Sequence, residues 1–161
     1  MSEPGGRFSL AGLVGVTVLV ADQVTKAIVQ RTLPLHEVIP LLPFLALDYE
    51  RNTGAAFSLL ASAPPVARLV LFVGVTLGAM GLLVSSLRRT PVDRPWTIGA
   101  LGGILGGAAG NLICRLRYGE VVDFLLLHWR AFRWPVFNVA DSAISVGVVI
   151  LVLASLRGER E

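Results

Sequence analysis

The 161-residue chain has little charge and almost no cysteine. Charged side chains make up 16% of its residues, whereas an ordinary soluble domain carries about 25%. A soluble protein of this length has more surface than so few charges can cover. The hydrophobic share of 54% excludes a disordered chain, and a single cysteine excludes a disulfide framework. These deficits predict an integral membrane protein.

Excess charge of one sign is also scarce, since the net charge is only +3. The arginines cluster at the edges of apolar runs, where a lipid headgroup surface would hold them, so we expect membrane lipids and no nucleic acid as partners. The two histidines, His36 and His128, have no partner at a metal-ligand spacing. We therefore expect no metal. The chain also has no glycine-rich phosphate loop that opens a soluble helix, and we expect no organic cofactor.

Four apolar segments are candidates for membrane-spanning helices, each of which needs about 20 residues. The first and last segments reach that length only by including Asp22, Lys26 and Asp141. Ionisable residues inside a span are costly and are therefore functional candidates. We predict a single all-α membrane domain over residues 1–161. Its four transmembrane helices are expected at 8–28, 67–87, 96–114 and 137–156.

The first segment has an alternative interpretation. Arg7 and the short apolar stretch at 8–21 are similar to a cleaved secretory signal. Against this, the stretch from Asp22 to Lys26 continues the helical pattern without a break. These two residues are four apart, so they share one helix face and can neutralise each other.

The connections between the helices differ in length. Alternating spans place both long connections, 30–65 and 116–136, at one end of the bundle. Prolines and short apolar stretches in the first connection predict a small β-rich element between helices 1 and 2. Tryptophans in the second connection suit a membrane interface. Polar residues from four helix ends converge at the same end: Asp22, Lys26, Asn111, Arg115, Asn138 and Asp141.

Helix 3 carries glycines at two sets of positions spaced by four residues. Small residues at this spacing let helix backbones approach closely in lipid. We therefore predict that helix 3 packs tightly against its neighbours. The glycines are Gly99, Gly103 and Gly107, and Gly102, Gly106 and Gly110.

Two aspartates, Asp123 and Asp141, are the strongest candidates for catalysis. Two carboxylates held together in a low-dielectric place share one proton. One of them can then activate water while the other protonates a leaving amine. The alternative is that each aspartate caps a helix or pairs with an arginine, and spacing alone leaves both interpretations open.

Five motifs stand in order between residues 8 and 156. Together they resemble the lipoprotein signal peptidases (signal peptidase II) of bacteria. The motifs are Asp22-Gln-Val-Thr-Lys26, Asn52-Thr-Gly-Ala-Ala-Phe-Ser58, Gly106-Gly-Ala-Ala-Gly-Asn111, Arg115 with Gly119-Glu-Val-Val-Asp-Phe124, and Phe137-Asn-Val-Ala-Asp141.

The resemblance implies a monomeric, four-helix aspartic endopeptidase of the bacterial cytoplasmic (inner) membrane. Both termini and the short connection would be cytoplasmic, an orientation that arginine counting leaves open. The β-rich element and the site would then be extracytoplasmic. The substrate would be a prolipoprotein whose lipobox cysteine carries diacylglycerol, cleaved just before that cysteine. Asp123 and Asp141 would be catalytic, and the supporting residues would be Asn52, Asn111, Arg115, Asn138, Asp22 and Lys26.

One position departs from the pattern of the family. Its segment usually reads Gly-Asn-Leu-Ile-Asp-Arg, whereas this chain has Cys114 before Arg115. We expect that Arg115, lacking the neighbouring aspartate, turns toward Asp123, lowers the pKa of that carboxyl and slows the reaction. Two other function classes stay open. One is a small transporter or proton relay, and the other is a catalytically impaired homologue that binds lipoproteins.

Overall fold

Four helices occupy the positions that hydropathy predicts. The computed structural model describes residues 5–54 and 64–157. Within them, four helices are long and apolar enough to cross a membrane, as predicted. They are α1 (Gly5–Thr32), α2 (Pro65–Arg89), α3 (Pro95–Tyr118) and α4 (Val139–Leu156). The helix α1 is unbroken and includes Asp22 and Lys26, so it continues past the short apolar stretch to a length that can span the membrane.

The central helix is α3, which packs against each of the other three. A Cβ atom at Gly106 would collide with the backbone of Gly15 in α1, and one at Gly107 would come within 2.6 Å of the Ala140 carbonyl oxygen in α4. The predicted close approach is confirmed at these positions. A Cβ atom at Gly99 would meet no other atom within 4 Å, so this glycine is not required for close helix packing.

A small antiparallel sheet joins the two long connections. Its strands are arranged in the order β1-β2-β3-β4. The first two strands form a hairpin after α1, and the central pairing joins β2 to β3, where Glu50 lies opposite Asp123. The strands are β1 (Val38–Leu42), β2 (Leu45–Asn52), β3 (Val121–Trp129) and β4 (Phe132–Arg133).

The prediction of a β-rich element between helices 1 and 2 was therefore incomplete, because half of the strands follow α3. The sequence of β3 is a nearly continuous apolar run without the alternation of a half-exposed strand. Its first four residues are buried, as expected for a central strand that is covered on both faces. The hydrophobic periodicity of the sequence therefore did not predict the strand β3.

The sheet packs on the end of α1. Val29 and Leu33 form one apolar cluster with Tyr49 of β2 and with Val122 and Phe124 of β3. This cluster fixes the sheet against one end of the bundle, which we call the sheet end.

The opposite end holds the short connection at residues 90–94, and we call it the turn end. There the guanidinium of Arg7 donates hydrogen bonds to the carbonyl oxygens of Arg88 (2.6 Å) and Thr90 (3.0 Å). These bonds tie the start of α1 to the last turn of α2, whose final carbonyls have no partner within the helix.

Candidate active site

Asp141 is positioned by the start of α4. Asn138 is the N-cap of this helix, and its side-chain oxygen accepts a hydrogen bond from the Asp141 backbone N–H (2.9 Å). In return, the Asp141 carboxylate accepts one from the Asn138 backbone N–H (3.2 Å). This reciprocal capping box satisfies two of the free donors of the first turn and fixes the direction of the carboxylate.

Asp123 reaches the same place from β3. Its side chain is 2% exposed. The Asn138 amide donates to one oxygen of Asp123 (2.7 Å), and the Asn52 amide donates to the other (3.0 Å). Asn138 is therefore bonded to both aspartates, which the structure brings together as the sequence predicted.

A buried polar chain links α1 to Asp141. Asp22 and Lys26 are 0% and 2% exposed and form an ion pair of 2.8 Å, as their spacing predicted. Lys26 also donates to the side-chain oxygen of Asn111 (2.9 Å), and the Asn111 amide nitrogen donates to Asp141 (2.8 Å). Because the Asn111 oxygen also accepts from Asn138, the nitrogen of Asn111 must face Asp141.

Three further residues contact Asp22, one of them Ala140, whose backbone N–H donates to its carboxylate (3.0 Å). Gln23 donates to the Asp22 carboxylate (3.0 Å) and to the Gly110 carbonyl oxygen (3.2 Å). A Cβ atom at Gly110 would collide with Asp22, so only glycine leaves room for the ion pair there. Sequence reasoning passed over Gln23, although it stands inside the first motif.

Burial dominates the electrostatics of Asp123. It raises the pKa of this carboxyl from its ordinary value of 3.8 to about 6. The negative charge of Asp141 acts in the same direction. The hydrogen bonds from Asn52 and Asn138 and the charge of Lys26 act against this rise but do not cancel it. Asp123 is therefore suited to holding a proton near neutral pH.

The predicted contact between Arg115 and Asp123 was wrong, and so was the lowered pKa. The Arg115 guanidinium lies 5.1 Å above the ring of Phe72 in α2. Within residues 5–54 and 64–157 it makes no hydrogen bond or ion pair, although the charges of both aspartates act on it. The physical reason is that the Phe72 ring offers the guanidinium a cation–π contact, while Asp123 accepts its hydrogen bonds from the amides of Asn52 and Asn138.

Cys114 faces a different neighbour. Its side chain is buried, with the sulfur 3.9 Å from the Gln23 amide nitrogen of α1. Successive helix residues are about 100° apart around the axis, so residues 114 and 115 point in different directions. Positions 55–58, the second half of the Asn52 motif, lie outside the described residues.

The sequence and the structure both match known proteins. Residues 14–157 match the family described as "Signal peptidase (SPase) II". The chain is 45% identical to a lipoprotein signal peptidase of Geobacter metallireducens over 155 residues, which cover 96% of this chain and 94% of the relative. It is 46% identical to one of Geobacter sulfurreducens over 159 residues, with coverages of 98% and 97%.

A solved structure of a bacterial membrane enzyme, determined by the in meso method, superposes with a TM-score of 0.81. It is 31% identical in sequence, and the match covers 91% of this chain and 87% of that one.

Proposed function

Because the chain belongs to the signal peptidase II family, whose members remove signal peptides from prolipoproteins, we propose that Asp123 and Asp141 are the catalytic pair of an aspartic endopeptidase. The observation that carries the proposal is the position of Asn138. Its side chain donates to Asp123 while its backbone N–H donates to Asp141. One residue thus holds two carboxylates at a shared site, as an acid–base pair requires.

The environments of the two carboxyl groups suggest their roles. Asp123 is buried with a pKa of about 6 and would hold the proton, whereas Asp141 is half-buried and would act as the base. Asp141 takes a proton from water as the water oxygen attacks the scissile carbonyl carbon. Asp123 gives its proton to the leaving nitrogen as the C–N bond breaks. The products are a carboxylic acid on the signal peptide and a free amine on the cysteine.

Lys26, Asp22 and Asn111 are positioning residues in this proposal. Asp22 forms an ion pair with the Lys26 ammonium. Lys26 donates to the side-chain oxygen of Asn111, and the Asn111 amide nitrogen donates to Asp141. A buried ion pair contributes little net stability, because removing two charges from water costs about as much as their attraction returns. Its benefit here would be to keep the base in one orientation.

The cleaved bond would lie before a diacylglyceryl-modified cysteine, at the extracytoplasmic face of the bacterial inner membrane. Exposed apolar side chains on the sheet support its placement at a membrane surface, because they suit contact with lipid there, and the extracytoplasmic side is what the family implies. Trp129 and Trp134 are 64% and 54% exposed, and every residue of β1 is exposed. The four helices and the sheet would act together as one monomeric domain.

The activity is tested with the purified protein and a diacylglyceryl-modified precursor. Mass spectrometry should find one cut, with the lipidated cysteine as the new N-terminus. The matched control is the same precursor without its lipid, which should be cleaved far more slowly. A cut elsewhere, or equal cleavage of both precursors, would contradict the proposal.

The orientation is tested by labelling with a membrane-impermeant thiol reagent in a Cys114→Ser background. A cysteine introduced at Arg89 should react only from the cytoplasmic side, and one introduced at Glu37 only from outside. The reverse pattern would place the two aspartates in the cytoplasm and overturn the proposed location.

A further inference from the structure

A groove of about 320 Å³ opens directly beside Asp123. Its walls are the end of β2 at residues 50–53 and the segment before α4 at residues 135–136. None of the contacts that hold the catalytic pair in place uses Glu50 or the 135–136 segment. Glu50 and this segment can therefore contact a part of the substrate other than the scissile bond.

Glu50 faces the same side of the sheet as Asp123. The two residues are directly opposite in the β2–β3 pairing, and opposite residues project their side chains to one face. Asn52, two residues further along β2, projects the same way and bonds to Asp123. Glu50 therefore lies in the wall of the groove, on the sheet face that carries the catalytic aspartate.

The negative charge of Glu50 is only weakly offset. Its two oxygens lie 3.0 Å from the Nδ1 atom of His36, an exposed imidazole that carries charge only when protonated. The neighbouring Arg51 is engaged elsewhere, by Glu120 (3.2 Å) and the Tyr49 hydroxyl (2.8 Å). Arg51 also lines the groove, but its guanidinium is paired with Glu120. The groove therefore presents the Glu50 carboxylate, whose ion-pair partner is a histidine.

We propose that this groove receives the residue that follows the lipidated cysteine, and that Glu50 selects against an acidic side chain there. The inference rests on the proposed function. After the scissile bond the precursor must leave the membrane, and the groove is an opening at the sheet end that touches Asp123. Side chains of an extended chain alternate in direction, so when the lipid of the cysteine points to the bilayer, the next side chain points away from it.

The experiment uses three lipidated precursors that differ only in the residue after the cysteine, which is aspartate, serine or lysine. The aspartate precursor should be cleaved with a kcat/KM about threefold to fivefold lower than the serine precursor, the size expected for a partly exposed charge pair. The lysine precursor should match or exceed serine. The difference should lie mainly in KM and should shrink at high salt.

Substitutions assign the effect to its residue. Glu50→Gln should make the kcat/KM values of the three precursors equal. Glu50→Lys should reverse their order, so that the aspartate precursor is cleaved fastest. Glu37→Gln removes an exposed carboxylate from the same connection and should keep the wild-type order. If Glu50→Lys does not fold, Glu50→Gln alone decides.

Equal cleavage of the three precursors by the unsubstituted protein would overturn this inference alone. So would discrimination that persists in Glu50→Gln. Absence of cleavage of every precursor would instead overturn the proposed function, and this inference with it.

Discussion

At the turn end of the bundle the helices meet through apolar side chains, whereas at the sheet end they meet through charges and amides. Ala11, Leu87, Ile98 and Leu101 form the core at the turn end. Six of the seven buried polar or charged side chains among the described residues belong to the sheet end, and Thr90 is the exception. The six are Asp22, Lys26, Asp48, Asn111, Asp123 and Asn138.

The difference shows what each end is built to do. Apolar packing and close backbone approach are sufficient to join helices in lipid. Buried charges are costly there, so a protein keeps them where they serve a function. The buried charges do not continue along α3 toward the turn end, as a conduction path would require. The comparison therefore favours a site at one face over a transport route.

The largest effect should come from the two aspartates themselves. Asp123→Asn and Asp141→Asn each keep the shape of the side chain but cannot exchange the proton. Each should lower kcat by at least about 100-fold, the usual contribution of a general acid or base. Cleavage of a lipidated precursor measures this.

The control for these variants is Asp93→Asn, which removes an exposed carboxylate at the turn end and should keep normal activity. Treatment with EDTA should also have no effect. Near-normal cleavage by either sheet-end variant, or inactivation by EDTA, would refute the proposed mechanism.

Substitution of Lys26 should have the second-largest effect, because it leaves the buried Asp22 carboxylate without its ion-pair partner. Lys26→Met leaves the Asp22 carboxylate without its cation and should lower the free energy of unfolding by about 3–5 kcal/mol. Thermal unfolding in detergent measures the loss. The double variant with Asp22→Asn should recover part of it, because no uncompensated charge remains.

The matched variant at the turn end is Leu101→Ala, which opens a cavity in the apolar core and costs about 2 kcal/mol or more. It should lower stability and leave the kcat of the folded protein unchanged, whereas Lys26→Met should lower both. If the two variants behaved alike, the sheet end would be purely structural.

Asp123 predicts a dependence of stability on pH. Its carboxyl ionises near pH 3.8 when unperturbed and near pH 6 in the folded protein. Ionisation is therefore disfavoured in the fold, and stability should fall by ~3 kcal/mol as the pH rises from about 4 to about 6. Asp123→Asn should remove this part of the slope, which thermal unfolding across that pH range would reveal.

Activity should follow the same group. If protonated Asp123 is the acid, kcat/KM should decline above about pH 6, since this parameter reports ionisations of the free enzyme. A profile that rises steadily from pH 6 to pH 8 would contradict the assignment of the proton to Asp123.

Substitutions of Asn138 can separate its capping of α4 from its hydrogen bond to Asp123. Asn138→Ala should cost about 2–4 kcal/mol of stability, because α4 loses its N-cap and the buried acceptors of the Asn138 amide lose their donor. Asn138→Ser loses the same donor but keeps a capping oxygen, so it should be about 1 kcal/mol more stable than Asn138→Ala. Both lose the amide that reaches Asp123, and cleavage should fall about tenfold in each, the equivalent of one strong hydrogen bond. Normal cleavage by Asn138→Ser would show that the bridge between the aspartates is dispensable.

The four helices were predictable because a span must be long and apolar, a requirement that leaves a strong pattern in the sequence. The convergence of Asp22, Asn111, Asn138 and Asp141 followed from alternation of the spans alone. Their hydrogen bonds could not be predicted, because they depend on side-chain directions that spacing does not determine. The orientation of the Asn111 amide, for example, follows from Lys26 and Asn138 together.

The strand β3 and the direction of Arg115 were not predictable for different reasons. A central strand that is covered on both faces lacks the alternation of apolar and polar residues. The sequence of β3 was therefore indistinguishable from an apolar loop. Arg115 was expected to find an acid because a charge near lipid needs a partner. It lies over the ring of Phe72 instead. The two residues are far apart in the sequence and belong to different helices, so no local sequence pattern predicts their contact.

The smallest effect is predicted for Cys114, although the sequence comparison first drew attention to it. Its sulfur lies 3.9 Å from the Gln23 amide nitrogen of α1, and the Arg115 guanidinium makes its contact with Phe72 instead. Cys114→Ser replaces the thiol with a hydroxyl of similar size that can accept a hydrogen bond from the Gln23 amide. We therefore expect kcat/KM within about twofold of normal and a change in unfolding free energy within about 0.5 kcal/mol, the range of substitutions that disturb no special feature. Cleavage assays and thermal unfolding measure the two quantities, with Gln23→Ala as the companion variant, which removes the hydrogen bond to Asp22 and should destabilise more. A large loss in Cys114→Ser would mean that this contact between α1 and α3 helps to hold the catalytic pair, and that the polar chain of the sheet end extends one residue further than Asn111.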